Sequence, residues 1–154
     1  MLVEVLLLRC GPGGVLAYRR EAAPLDPGEV PDDAAARIGA GPAGQGGGLV
    51  AVLHSTSWRH RDDGTIVLTY AALPDPRPRL PATVIGDLTP ARGTSPRRPS
   101  PPGVRDEQVA AHAARHLALL AVTDPVVRAV LEQFPEMGRA LAPLAPSLAG
   151  QLAR

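Results

Sequence analysis

Residues 23–44, APLDPGEVPDDAAARIGAGPAG, decide the fold. Pro31-Asp32-Asp33 predicts the start of a short helix running through about Ile38. Proline's fixed φ suits the first helical position, and acids suit the positive end of the helix dipole. Ala34 and Ala35 fall on one face and are the expected packing residues. Gly39, Gly41 and Pro42 stop the helix near Gly39, because glycine is entropically costly there and proline lacks the amide donor. The acids Asp26, Glu29, Asp32 and Asp33 lie at or before the helix start, where capping and the dipole account for them. Arg37, eight residues after Glu29, has a guanidinium fork that can tie the helix to the loop before it.

Working outward, Val3 to Arg9 predicts a strand, Gly11-Pro12-Gly13-Gly14 a turn, and Val15 to Arg20 the returning strand of a hairpin. Beyond the loop GAGPAGQGGG, Leu49 to Arg59 and Thr65 to Leu73 are rich in Val, Thr, Ile, Trp and Tyr. They predict a second hairpin joined by Asp62-Asp63-Gly64. Residues 74–103 change character and hold half of the chain's 18 prolines, together with Arg77, Arg79, Arg92, Arg97 and Arg98. Such a segment cannot donate regularly to a sheet, so an extended, solvated loop is expected, with 83–88, TVIGDL, docking as a short strand or turn. The last third predicts helices. Asp106 is the expected cap of one running to about Val122, with Val109, Ala113, Leu117 and Leu120 as its apolar stripe. Asp124-Pro125 predicts a restart to about Gln133, with the aspartate as N-cap. Pro135 opens another turn, and Ser147 is the expected cap of a last one.

The stretch 23–44 resembles the Nudix box: glycine, five residues, glutamate, seven residues, Arg-Glu, an apolar residue, any residue, Glu-Glu, any residue, glycine. With Glu29 as the first glutamate, Arg37 falls on the arginine and Gly44 on the closing glycine. The opening glycine is Ala23, and the three later glutamates are Ile38, Gly41 and Pro42. Members of that family hold divalent metal on those glutamates to neutralise phosphates and activate water. Hard cations such as magnesium need carboxylate oxygens, which Ile38, Gly41 and Pro42 lack. The resemblance covers about the first half of the chain. It implies a Nudix-like fold whose metal-dependent pyrophosphohydrolase activity has been lost, with Glu29, Arg37 and Gly44 as remnants of the box.

Composition bounds the rest. A chain of 154 residues is read as one domain, 1–154: sheet and degenerate box in 1–73, proline/arginine-rich loop in 74–103, helices in 104–154. A net charge of +1 gives no reason to expect nucleic acid or a membrane surface as partner. All 16 basic residues are arginine, which with abundant Ala, Gly and Pro reads as the codon bias of a GC-rich bacterial genome. The single Cys10 fits a reducing cytoplasm, and the apolar start MLVEVLLLRC reads as a strand, since it is short and carries Glu4.

Two strings remain for chemistry. His112 and His116 are four apart on one helical face with Arg115 beside them, but HAARH lacks a protease glutamate and a third ligand, so no metal is expected. In HSTSWR, 54–59, strand alternation puts His54, Thr56 and Trp58 on one face and Ser55, Ser57 and Arg59 on the other. If the two strings meet, His54, Thr56, Trp58, Arg115 and His116 line a site for a small anionic or nucleotide-like ligand. Ser57 has no glycine elbow or triad partners and is no nucleophile. The expectation is therefore an α+β domain, a Nudix-like mixed sheet between helices with extra short C-terminal helices. It would act as a non-hydrolytic binding or regulatory module, without cofactor, and a homodimer is left open. The alternatives are a divergent hydrolase of nucleoside diphosphate-linked compounds using relocated acids, and a structural or interaction protein.

Overall fold

The computed structural model describes residues 1–42 and 48–145. Its strands are β1 (Leu2–Cys10), β2 (Leu16–Pro24), β3 (Val52–His60), β4 (Ile66–Leu73) and β5 (Thr83–Val84). Its helices are α1 (Pro31–Ala40), α2 (Asp106–Thr123), α3 (Pro125–Glu132) and α4 (Pro135–Leu141). The strands form one mixed sheet in the order β3-β4-β1-β2-β5. β1 runs parallel to β4 and every other pairing is antiparallel. The fold class is α+β.

The apolar run of β1 follows from its central place, since a strand covered on both faces needs no polar alternation. Val3, Val5 and Leu7 pack with Ala34, Ala35 and Ile38 of α1, joined by Tyr70 and Ala72. Leu6 and Leu8 point to the opposite face, where α2, α3 and α4 bury them with Tyr18, Ala71, Leu73 and Leu117. Burying such a side chain stabilises by about 1.5–3 kcal/mol relative to leaving it exposed. The two small alanines let α1 lie close to the sheet, and the Tyr70 hydroxyl, 2.5 Å from Asp32 Oδ1, fixes its first turn.

Several boundaries differ from the sequence expectation, each for a local reason. β2 continues to Pro24 because the register with β1 persists to its first residues, Leu2 opposite Pro24. Asp106 is the first residue of α2 and not its cap; Arg105 holds the cap position, and its amide donates to the Gln108 side chain at 3.1 Å. Likewise Val30 precedes α1 and none of the nearby acids caps it, although Asp32 and Asp33 sit in the first turn. Asp124 does cap α3, accepting from the amides of Val126 and Val127 at 2.8 and 3.2 Å.

The segment 74–103 is not simply a solvated loop. The amide of Asp75 donates to the Leu8 carbonyl and that of Ile85 to the Leu16 carbonyl, at 3.0 and 2.9 Å. The Glu107 carboxylate accepts from the amides of Gly86 and Asp87. Asp75 and Ile85 are both buried. Among the described residues no helix is long and apolar enough to cross a membrane. The expected cap Ser147 lies outside the described residues, as does the box remnant Gly44.

Candidate functional site

α1 carries the box remnants. Arg37 donates through Nε and an Nη to the two oxygens of Glu29, at 2.9 and 2.8 Å, and Glu29 also accepts from the Asp26 amide. The hydrogen bonds from Arg37 hold the Glu29 carboxyl below its ordinary range. The pair is exposed, so it orders the loop before the helix more than it stabilises the domain.

Where α1 ends, the chain turns at Gly41 with φ of 74°, a conformation that favours glycine. A cleft of about 320 Å³ opens there, lined by Glu21, Arg37, Ile38, Gly41, Pro42 and Arg77. The three box positions without their glutamates, 38, 41 and 42, all face it. The guanidinium of Arg77 packs over Gly41 so closely that a Cβ there would lie 2.6 Å from its Cζ. Its Nη2 donates to Glu21 at 3.3 Å, while its Nε is buried without a partner. Behind it, Arg19 forks onto the buried Asp75 at 3.3 and 2.8 Å and reaches Glu21, and Arg9 lies 3.5 Å from Asp75. Three guanidinium groups thus meet two carboxylates, leaving one positive charge in excess. Glu21 is the sole carboxylate lining the cleft and both its neighbours are arginines. Magnesium does not fit this donor set. Nothing in the sequence singled out Arg19, Glu21, Asp75 or Arg77, because the contacts join positions as far as 56 residues apart.

The second candidate, around HSTSWR, comes together only in part. A β-bulge interrupts β3: Ser55 pairs with Tyr70 and Ser57 with Thr69, leaving Thr56 extra. An extra residue reverses the alternation beyond it. His54, opposite Ala71, lies on the α2 side, whereas Trp58, opposite Leu68, lies on the α1 side and is 67% exposed. The expectation that His54, Thr56 and Trp58 share a face is therefore overturned, and Trp58 forms no wall beside His54. Arg115 is also turned away, donating to the carbonyls of Leu88 and Ala145 at 2.7 and 2.9 Å. His54 and His116 do meet, with ring centroids 5.2 Å apart, and His112 stands 6.0 Å from His116. His112 Nε2 is 3.2 Å from the carbonyl of Thr56, the extra residue of the bulge. Among the described residues no group of three or more His, Cys, Asp or Glu side chains is placed to hold a metal ion.

Burial, with the neighbouring His54 and His112, pushes the His116 imidazole down to about 4. Its ordinary value is 6.5, so the unfolded chain takes up a proton that the folded one refuses between those limits. Stability is full above pH 6.5 and falls as the pH drops toward 4. Partial exposure limits the loss to about 1–2 kcal/mol. Urea midpoints at pH 7 and pH 5 should differ by that amount for the parent and much less for His116→Gln; equal differences would show that His116 is not the group.

A larger cleft, about 510 Å³, lies between Cys10, the glycine turn and α4. Burial and Glu136 push the Cys10 thiol up, so it is not an activated nucleophile. Compared with known proteins, the chain matches no family model, no curated protein and no solved structure.

Proposed function

We propose that this chain is a Nudix-like, non-hydrolytic binding module that takes an anionic, phosphate-bearing ligand in the cleft at the end of α1. One observation carries the reading. Positions 38, 41 and 42, which would present metal-binding carboxylates in a complete box, line a cleft where the Arg77 guanidinium covers Gly41 instead. A fixed guanidinium supplies the positive charge and planar donors that a phosphate or diphosphate needs, without a metal to activate water. The excess charge of the Arg9, Arg19 and Arg77 cluster and the unpartnered Arg77 Nε favour an anion there. The single cysteine is consistent with a reducing cytoplasm.

The test is calorimetric titration with ADP-ribose, ADP and pyrophosphate, with and without magnesium, followed by product analysis. Binding that needs no magnesium and leaves the ligand intact is the expected result. Arg77→Ala should weaken it at least about tenfold, roughly 1.4 kcal/mol. Magnesium-dependent cleavage that disappears in Glu21→Gln would instead establish a hydrolase using a relocated acid. Failure of all three probes to bind at millimolar concentration would leave an interaction protein.

A further inference from the structure

We propose that His54 and His116 form a two-nitrogen site for a divalent transition ion of the zinc type, completed by water. It lies on the opposite face of the sheet from the α1 cleft and does not depend on that reading.

The tautomers are the starting point. A carbonyl only accepts, so His54 Nδ1, 2.8 Å from the Ser55 carbonyl, carries the proton and leaves Nε2 with a free lone pair. His112 Nε2 is protonated for the same reason against the Thr56 carbonyl, which leaves its Nδ1 as the lone pair. His116 has both ring nitrogens buried and neither has a partner. A buried polar group left unmet costs about 1–3 kcal/mol, so a partner for His116 is implied.

The surroundings select its chemistry. An anion finds no charge here, since Arg115 is held by two carbonyls and His116 stays neutral near pH 7. A proton shared between the rings runs against the same lowered basicity. An electron-pair acceptor meets both lone pairs. Metal-ligating histidines are oriented by the second ring N–H on a carbonyl or carboxylate, and the β3 bulge supplies that carbonyl at Ser55. Zn–N bonds of about 2.0–2.1 Å place two tetrahedrally arranged imidazole centroids roughly 5 Å apart. The observed separation is 5.2 Å. Neutral imidazoles suit zinc, copper or nickel and not magnesium or calcium. Both rings are partly exposed, so an ion and its waters can enter from solvent.

The experiment uses the full chain without an affinity tag. Zinc is titrated calorimetrically, and copper(II) is substituted to count nitrogen ligands by electron paramagnetic resonance. A single ion per chain, bound at micromolar concentration with two coordinated nitrogens, is expected. His54→Ala and His116→Ala should each weaken binding by about 10–100-fold. His60→Ala, at an exposed histidine elsewhere on β3, should leave it unchanged. If His116→Ala melts far below the parent, His54→Ala decides the matter alone. Absence of binding at millimolar zinc, or binding that survives His54→Ala, overturns the proposal and means an adventitious ion only.

Discussion

Replacing Glu4 with alanine is expected to cost about 3–5 kcal/mol, because it leaves two arginines facing a void where their carboxylate was. Glu4 is the acid in the apolar run of β1 and is 1% exposed. Arg59 forks onto both its oxygens at 2.7 and 2.9 Å, Thr69 donates to it at 3.0 Å, and Arg20 reaches it from the other side. The four side chains span β3, β4, β1 and β2, so one carboxylate ties four strands across the sheet. In a domain of this size the melting temperature should fall on the order of 10 °C. Thermal and urea unfolding of Glu4→Ala would measure it; a midpoint within a degree of the parent would refute the assignment. Burial raises the Glu4 carboxyl, but the hydrogen bonds and charges of Arg59 and Arg20 outweigh it and hold it below its ordinary 4.5. Its contribution is therefore present above that value and is lost only as pH falls through the lowered one. Acid should act in two stages, His116 first and Glu4 afterwards.

The second large effect is expected at Asp75, whose side chain has no exposure. Asp75→Ala would strand the nearly buried Arg19 and remove the acceptor of the Arg77 amide, 3.0 Å away. A loss of about 3–5 kcal/mol is again the scale for an uncompensated buried charge. This variant has a second readout, because Arg77 is positioned for the cleft partly by that amide bond. Affinity for the phosphate-bearing probe should fall with stability in Asp75→Ala, whereas Arg77→Ala should lose affinity with little change in melting temperature. Near-native stability of Asp75→Ala would show that water replaces the carboxylate.

What could be read from the chain was the part governed by neighbours in sequence. The two hairpins, the helix at Pro31, the long helix from Asp106 and the restart at Asp124-Pro125 rest on alternation, turn residues and caps, all local. The strand order and the parallel β1–β4 pairing have no local marker. The cleft was hidden more deeply. Arg77 and Asp75 sit among prolines that argue for a loop, and only the fold brings them to Arg19 and Gly41. Glu4 was visible as an anomaly, since an acid in a strand buried on both faces needs a partner. The meeting of His54 with His116 was also within reach, being where alternation and helical spacing converge. Trp58 was misplaced because nothing in STSW announces the extra residue at Thr56.

That extra residue fixes the parity of the edge strand. From Ser57 onward every β3 side chain faces the way it does because the count between His54 and Arg59 includes one unpaired residue. Deleting Thr56 would restore simple alternation while shifting the rest of the strand by one. Arg59 would then swing away from Glu4 as Trp58 turned toward the helices, unless the whole strand slipped along β4. Changes in the length of β3 are therefore tolerable only in pairs, and lineages can be expected to vary its composition far more freely than its number of residues.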